Sequence, residues 1–219
     1  MSRIQYSSYL AWESQMLKAL AELHQSIDRC TVCSEFIHPL NKPRAGLDRG
    51  EGSEIFIVGQ SPGNTEQTSG RAFSGNSGAR LDAWLVASGR PAPNPREGVY
   101  LTSLLKCSPP RNSNKSFNLM WHRCRHFLND QLQLINPRIV ITLGRESFEY
   151  LHFVDGDYES SIGRLFRIRA EDLLTLQPFE AILHWPHPSG LNRWHNIPGN
   201  AQRMAKSFDE IKQFLEVHY

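Results

Sequence analysis

The chain of 219 residues lacks most of the features that would narrow its class at once. It has only four cysteines, too few for a disulfide scaffold at this length. It has no excess of either charge: 24 Lys and Arg against 22 Asp and Glu leave a net +2, which neither demands nor forbids a nucleic-acid partner. No apolar run approaches the ~20 residues that span a bilayer, and the first residues, MSRIQYSSYLAWESQ, carry a Glu where a signal peptide needs an apolar stretch. A cytoplasmic protein without membrane association is expected. There is no internal repeat or low-complexity tract, and 40% hydrophobic with 21% charged residues excludes disorder, collagen and coiled coil. A Walker loop and a GxGxxG fingerprint are also missing, so no standard nucleotide-binding motif explains the glycines.

At roughly 150 residues per domain, one domain over residues 1–219 is the simplest organisation. Residues 9–28 place Leu10, Leu17, Leu20, Ala21, Leu23 and Ile27 at helical spacing and lead directly into Cys30-Thr-Val-Cys33. A loop rich in Pro and Gly follows, from Pro39 to Gly52. Four short apolar runs then recur: 54–59 (EIFIVG), 99–105 (VYLTSLL), 138–143 (RIVITL) and 181–185 (AILHW). Their continuous apolar character predicts strands buried on both faces, hence parallel. Helices are predicted between them over 77–88 and 117–135, the second burying Leu119, Cys124, Phe127, Leu128, Leu132 and Ile135 on one face. The expected fold is α/β, a three-layer αβα sandwich around a four-stranded parallel sheet. Residues 160–169 read as a hairpin arm feeding the last strand. In such sheets ligands sit beyond the carboxyl ends of the strands, which singles out the loops beginning at Gly59, Lys106, Gly144 and Pro186.

Cys30 and Cys33 share a turn, Cys107 leaves the second strand, and Cys124 follows 17 positions later on a helix. Four thiolates so distributed can surround one centre, either tetrahedral zinc or a four-iron cluster, and spacing does not separate the two. Read without a metal, Cys107 and Cys124 are small core residues and the CxxC is incidental.

Two loops carry the remaining signals. After the first strand comes GQSPGNTEQTSGRAFSGNSG (59–78), whose glycines allow close backbone approach and whose end opens a helix with free N–H groups. After the fourth comes WPHPSGLNR (185–193), where His187 precedes a proline and so projects from stiff, extended backbone. Leu191 has no apolar neighbour in its turn and is expected to point outward. A lone exposed leucine usually means nothing, although a wedge for a base stack has the same appearance.

Together these segments resemble the uracil-DNA glycosylase superfamily, and within it the iron–sulfur family 4. GQSPGNTEQTSGRAFSGNSG aligns without a gap to that family's GEAPGxxEDxxGRPFVGxAG, VYLTSLLKCSPPRN is similar to VYITNxVKCRPPxN, and RIVITLG matches the third strand. HPSGLN looks like a blend of the uracil glycosylases' HPS loop and the NPSGLN loop of the mismatch-specific branch. The resemblance covers roughly residues 20–200.

The resemblance implies a monomeric, monofunctional enzyme that binds DNA, flips out a nucleotide and hydrolyses its N-glycosidic bond. By similarity Phe73 stacks on the flipped base, and the backbone at Gln60 and Ser61 meets a carbonyl oxygen. His187 donates to the charge developing on the base. Gln60, Ser61 and Glu66 are counted with His187 in the catalytic set, and Gly59, Ser103 and Asn192 with Phe73 in substrate binding. Leu191 fills the gap left in the duplex, Ser189, Gly190 and Arg193 contact DNA beside it, and Asn192 reaches a phosphate. Cys30, Cys33, Cys107 and Cys124 match the four ligands of a 4Fe-4S cluster, which would staple a DNA-binding loop carrying Arg111, Asn112, Asn114 and Lys115.

Three departures bear on substrate. Gln60 stands where the family has Glu, and among the acidic pocket residues only Glu66 aligns. Ser103 replaces the Asn that reads uracil, and a Ser hydroxyl is shorter and free to rotate. Uracil or a related deaminated base is the expected substrate. The competing readings are a glycosylase for hypoxanthine or a bulky modified cytosine in foreign DNA, and a non-catalytic DNA-binding module.

Overall fold

The structure, a computed structural model, describes residues 3–38, 41–42, 53–110, 114–151, 156–168 and 179–216. Its centre is a sheet of five strands, β1 (Ile55–Gly59), β2 (Val99–Ser103), β3 (Ile139–Leu143), β4 (Leu165–Arg167) and β5 (Ala181–Trp185), in the order β2-β1-β3-β5-β4. The four apolar runs form the predicted parallel strands, every residue of them buried. The expected four-stranded sheet needs one correction. β4 adds a fifth strand, antiparallel to β5, and residues 160–169 divide between a short helix, α6 (Tyr158–Ser161), and this strand, with Arg169 outside the described residues. Leu165 and Phe166 are half-exposed and Arg167 exposed, and their antiparallel pairing with β5 is the arm that the sequence predicts over residues 160–169, though only three residues of it are strand. As an edge strand it leaves backbone groups unpaired, and the N–H of Leu165 is taken by the Glu210 carboxylate at 3.1 Å.

Alternation along each strand divides the core in two. Ile55, Ile57, Leu101, Ile141, Leu183 and Trp185 face α3 (Asn76–Ala87) and α7 (Asn200–Glu216). Phe56, Val58, Tyr100, Val140 and Ile182 face α1 (Arg3–Asp28) and α4 (Asn114–Ile135). Two short helices, α2 (Asn64–Ser69) and α5 (Arg145–Leu151), follow β1 and β3. The three layers are therefore as expected. The first helix begins earlier than residue 9, and α4 already at Asn114. On α4, Leu119 is 40% exposed and does not belong to the core face assigned to it, whereas Phe127, Leu128, Leu132 and Ile135 are buried. Asn136, at φ 47, and Pro137 end α4 in the manner of a left-handed cap followed by a breaker.

Register decides where function is possible. Gly59 pairs with Ser103, and Leu143 with Trp185, so four parallel strands end along one edge and deliver their following loops to the same place.

Candidate active site

A cavity of about 190 Å³ opens at that edge. It is smaller than the ~300 Å³ at which drug-sized sites begin, a volume suited to one small ring system. Its wall combines Ser61, Glu66 and Phe73 from the loop after β1, Thr102 and Ser103 from the end of β2, and His187 from the loop after β5. Of the residues the sequence assigned to catalysis and substrate binding, the cavity thus brings together Ser61, Glu66, Phe73, Ser103 and His187. Gln60, Gly59 and Asn192 are not part of its wall.

These three have nearby structural work. The Gln60 carbonyl accepts from Leu105 N–H at 3.1 Å. A Cβ on Gly59 would lie 2.8 Å from Phe73 Cζ, so the absent side chain lets the ring lie across the strand end. Asn192 accepts from Trp194 N–H at 3.0 Å and donates to the His187 carbonyl at 3.0 Å, which pins the histidine backbone. Glu66 ties the first loop together, its two oxygens accepting from Gly63 N–H at 3.1 Å and Ser74 N–H at 2.9 Å.

His187 is half-buried, and desolvation by that burial lowers its pKa from the ordinary histidine value, outweighing the opposing influence of Glu146. The ring is therefore neutral at pH 7. Its Nδ1 accepts from Ser189 N–H at 3.1 Å, which leaves the single ring proton on Nε2. Past this point the chain turns outward. The Ser189 hydroxyl accepts from Leu191 N–H at 3.1 Å, Arg80 donates to the Ser189 carbonyl at 3.1 Å, and Leu191 stands 92% exposed. Gly190 and Arg193 are exposed beside it, and Lys115 is exposed on the first turn of α4. Arg111 and Asn112 lie outside the described residues.

The four cysteines come from three places, as expected: turns after α1, the segment after β2, and α4. Cys33 and Cys107 are buried, Cys30 and Cys124 half-buried. Among the described residues no three His, Cys, Asp or Glu side chains stand at ligand separations. The thiols are nonetheless near enough that a thiolate on one disfavours ionisation of the next. Burial first, and then Cys124, Cys33 and Cys30, push the Cys107 thiol up to about 12, and burial likewise raises Cys33 and Cys124. Arg123 fastens the turn to α4 through the Val32 carbonyl, at 2.9 Å, and Glu35. A set of four thiols, with no carboxylate or imidazole among them, has the chemistry of a structural zinc or iron–sulfur site.

Two further features escaped the sequence. Phe73 has φ 47, a left-handed conformation that costs a bulky residue energy. Arg96 holds it there. Its Nη2 donates to the Phe73 carbonyl at 2.8 Å and its Nη1 to the Ala72 carbonyl at 2.9 Å, while Nε and Nη2 grip Asp82 at 2.6 and 3.1 Å. Only glycine fits at position 78, because a Cβ there would fall 1.6 Å from the Phe73 oxygen. The second is Lys106, fully buried, whose ammonium donates to Thr102 Oγ1, the Ser103 carbonyl and Gln131 Oε1 at 2.7–2.8 Å. Burial lowers its pKa to about 7. The Arg96 partners lie 14 to 24 positions away and carry no local signal, whereas Lys106 meets Thr102 and Ser103 within four positions and only Gln131 through the tertiary fold.

A parallel sheet with an aromatic, a neutral histidine and small polar groups converging at its carboxyl edge defines a site for a small planar ring. The family model described as the uracil DNA glycosylase superfamily matches residues 48–216, and the chain belongs to that superfamily. Among its curated relatives, the type-4 uracil-DNA glycosylase of Thermotoga maritima is 35% identical over 196 residues, covering 88% of this chain and 92% of its own. The type-4 uracil-DNA glycosylase of Pyrobaculum aerophilum is 30% identical over 179 residues, covering 76% and 86%. A type-5 uracil-DNA glycosylase from Thermus thermophilus is more distant, at 27% over 176 residues.

The Arg96 clamp makes a direct prediction. Arg96→Met should destabilise the protein by about 1–3 kcal/mol in urea titration, because Asp82 and two carbonyls lose their donor. Arg96→Lys should recover less than half of that, since an ammonium cannot span four acceptors. Full recovery by lysine would mean that only the charge matters.

Proposed function

We propose that the protein is a monomeric, monofunctional DNA glycosylase, a single cytoplasmic domain over residues 1–219, that removes uracil or a related deaminated base and leaves an abasic site. Among the described residues no helix is long and apolar enough to cross a membrane. The observation that carries the reading is the tautomer of His187 at the cavity wall. Hydrolysis of the N-glycosidic bond breaks C1′–N, sends the electron pair to the base and adds water to the sugar. The departing base is an anion until it is protonated, so a preorganised N–H aimed at its carbonyl oxygen stabilises the transition state more than the ground state. His187 supplies that N–H from Nε2 as a neutral imidazole.

The other residues take supporting parts. Phe73 stacks on the everted base, the backbone near Ser61 meets a carbonyl oxygen, and Ser103 touches the polar edge. Glu66 and Gln60 act through the loop they brace. Leu191, alone in solvent, fills the gap that the base leaves, and Ser189, Gly190, Asn192 and Arg193, with Arg111 and Lys115, contact the DNA backbone. Cys30, Cys33, Cys107 and Cys124 hold a 4Fe-4S cluster, which supplies a rigid cross-link between α1, the end of β2 and α4 when bound.

In single turnover on uracil-containing DNA, His187→Ala should lower the rate by on the order of 10²-fold or more with DNA affinity nearly unchanged. The wild-type rate should stay level across neutrality and change only as the pH falls through the lowered His187 pKa, below the ordinary histidine range. Equal rates for the variant would remove His187 from the mechanism, and no abasic product from the wild type on any base would leave only a binding module.

Leu191→Ala should slow excision from duplex more than from single strands, because only a duplex has a stack to plug. Equal losses would show that Leu191 merely packs. Anaerobically purified protein should be brown, with absorbance at about 400 nm and about four irons per chain. Cys107→Ala should lose both colour and stability. A colourless protein with one zinc would contradict the cluster.

A further inference from the structure

Ser103 ends β2 and lines the cavity, only 9% exposed. Its hydroxyl lies 2.7 Å from the Leu105 carbonyl oxygen, and a carbonyl can only accept, so the serine proton is committed to that bond. The expected free rotation is absent. The surrounding turn is held as firmly. Leu104 N–H donates to Gly59 O at 2.9 Å, Leu105 N–H to Gln60 O at 3.1 Å, and the buried Lys106 ammonium takes the Ser103 carbonyl at 2.7 Å. What Ser103 Oγ can still offer a ligand is a lone pair.

We infer that Ser103 reads the base as an obligate acceptor, so that the pocket takes bases presenting a ring N–H next to a carbonyl and refuses those presenting a ring nitrogen lone pair. The inference rests on the glycosylase reading and names its substrate class. Deamination is the change that Ser103 detects. Cytosine and adenine carry an acceptor at the ring position where uracil and hypoxanthine carry N–H, and an acceptor facing Ser103 Oγ would leave two lone pairs opposed in a desolvated site. An amide in the same place presents donor and acceptor together and reads two positions of one pyrimidine. A hydroxyl reads one position, which a deaminated purine shares. The criterion separates a deaminated base from its parent and does not distinguish thymine or guanine.

The test uses the full-length protein and single-stranded oligonucleotides with one uracil, hypoxanthine, cytosine, adenine or N3-methyluracil, in single turnover. The wild type should release uracil and hypoxanthine and neither parent base. N3-methyluracil, which deletes the N–H from the substrate side, should react at least tenfold more slowly than uracil. Ser103→Ala should lose about tenfold on uracil and hypoxanthine alike, the worth of one buried hydrogen bond, when assayed well below a melting temperature that falls with loss of the bond to the Leu105 carbonyl. Ser103→Thr, which keeps the hydroxyl, should stay within about threefold of the wild type. Release of uracil with hypoxanthine untouched, or with Ser103→Ala unimpaired, overturns the inference and leaves the glycosylase reading standing. Should Ser103→Ala fail to fold, equal rates on uracil and N3-methyluracil overturn it. No release of any base would overturn both.

Discussion

The parallel register of β1, β2, β3 and β5 is the constraint on which everything else depends. Because Gly59 is paired with Ser103 and Leu143 with Trp185, the loops after these strands emerge side by side. A slip of one residue would reverse which side chains face each helix layer and carry Ser103 away from the loop that bears Phe73. Strands buried on both faces resist such slips, since Ile57 and Val58 each fill a different core. Gly144, at φ +89, adds a local condition: a Cβ there would lie 3.2 Å from His187 Cβ, so the bare backbone after β3 makes room for the histidine after β5.

On this frame the site is polar, with Glu66 and Arg71 as the charged side chains on its wall. His187 is neutral, and the hydroxyl of Ser103 and both oxygens of Glu66 are engaged with backbone. Groups so engaged are oriented before a ligand arrives, and orientation set by folding need not be supplied during reaction. The strained Phe73 belongs to the same design, its left-handed backbone maintained by Arg96 and Asp82 and by a glycine at position 78. Behind the cavity, Lys106 links its floor to the cysteine region, donating through its ammonium to the Ser103 carbonyl and through its backbone N–H to Cys124 Sγ at 3.4 Å.

Much of this was legible in the sequence because it is written locally. Runs such as IFIVG and RIVITL announce doubly buried strands, and the His-Pro-Ser-Gly-Leu-Asn turn announces an outward leucine, which the structure leaves 92% exposed. Other features are not local. The three-residue extent of β4 is set by the edge that β5 offers it, and Leu119 fits a helical apolar period yet is 40% exposed. Arg96 is 23 positions from the carbonyl it holds, and Ser103 is governed by a turn whose shape no propensity reveals. The sequence singled out Ser103 as the residue on which substrate choice would turn. Its chemistry there was misjudged, because a hydroxyl's freedom depends on the acceptor that the fold places beside it.

Long-range ¹H–¹⁵N NMR of the imidazole at neutral pH reads whether His187 is the neutral Nε2–H donor that excision of a flipped base requires. The prediction is one nitrogen, Nε2, protonated and the other an acceptor, a pattern that Ser189 N–H imposes and that Ser189→Pro should relax by deleting that donor. A spectrum showing the Nδ1–H tautomer, or an imidazolium with both nitrogens protonated, would contradict it.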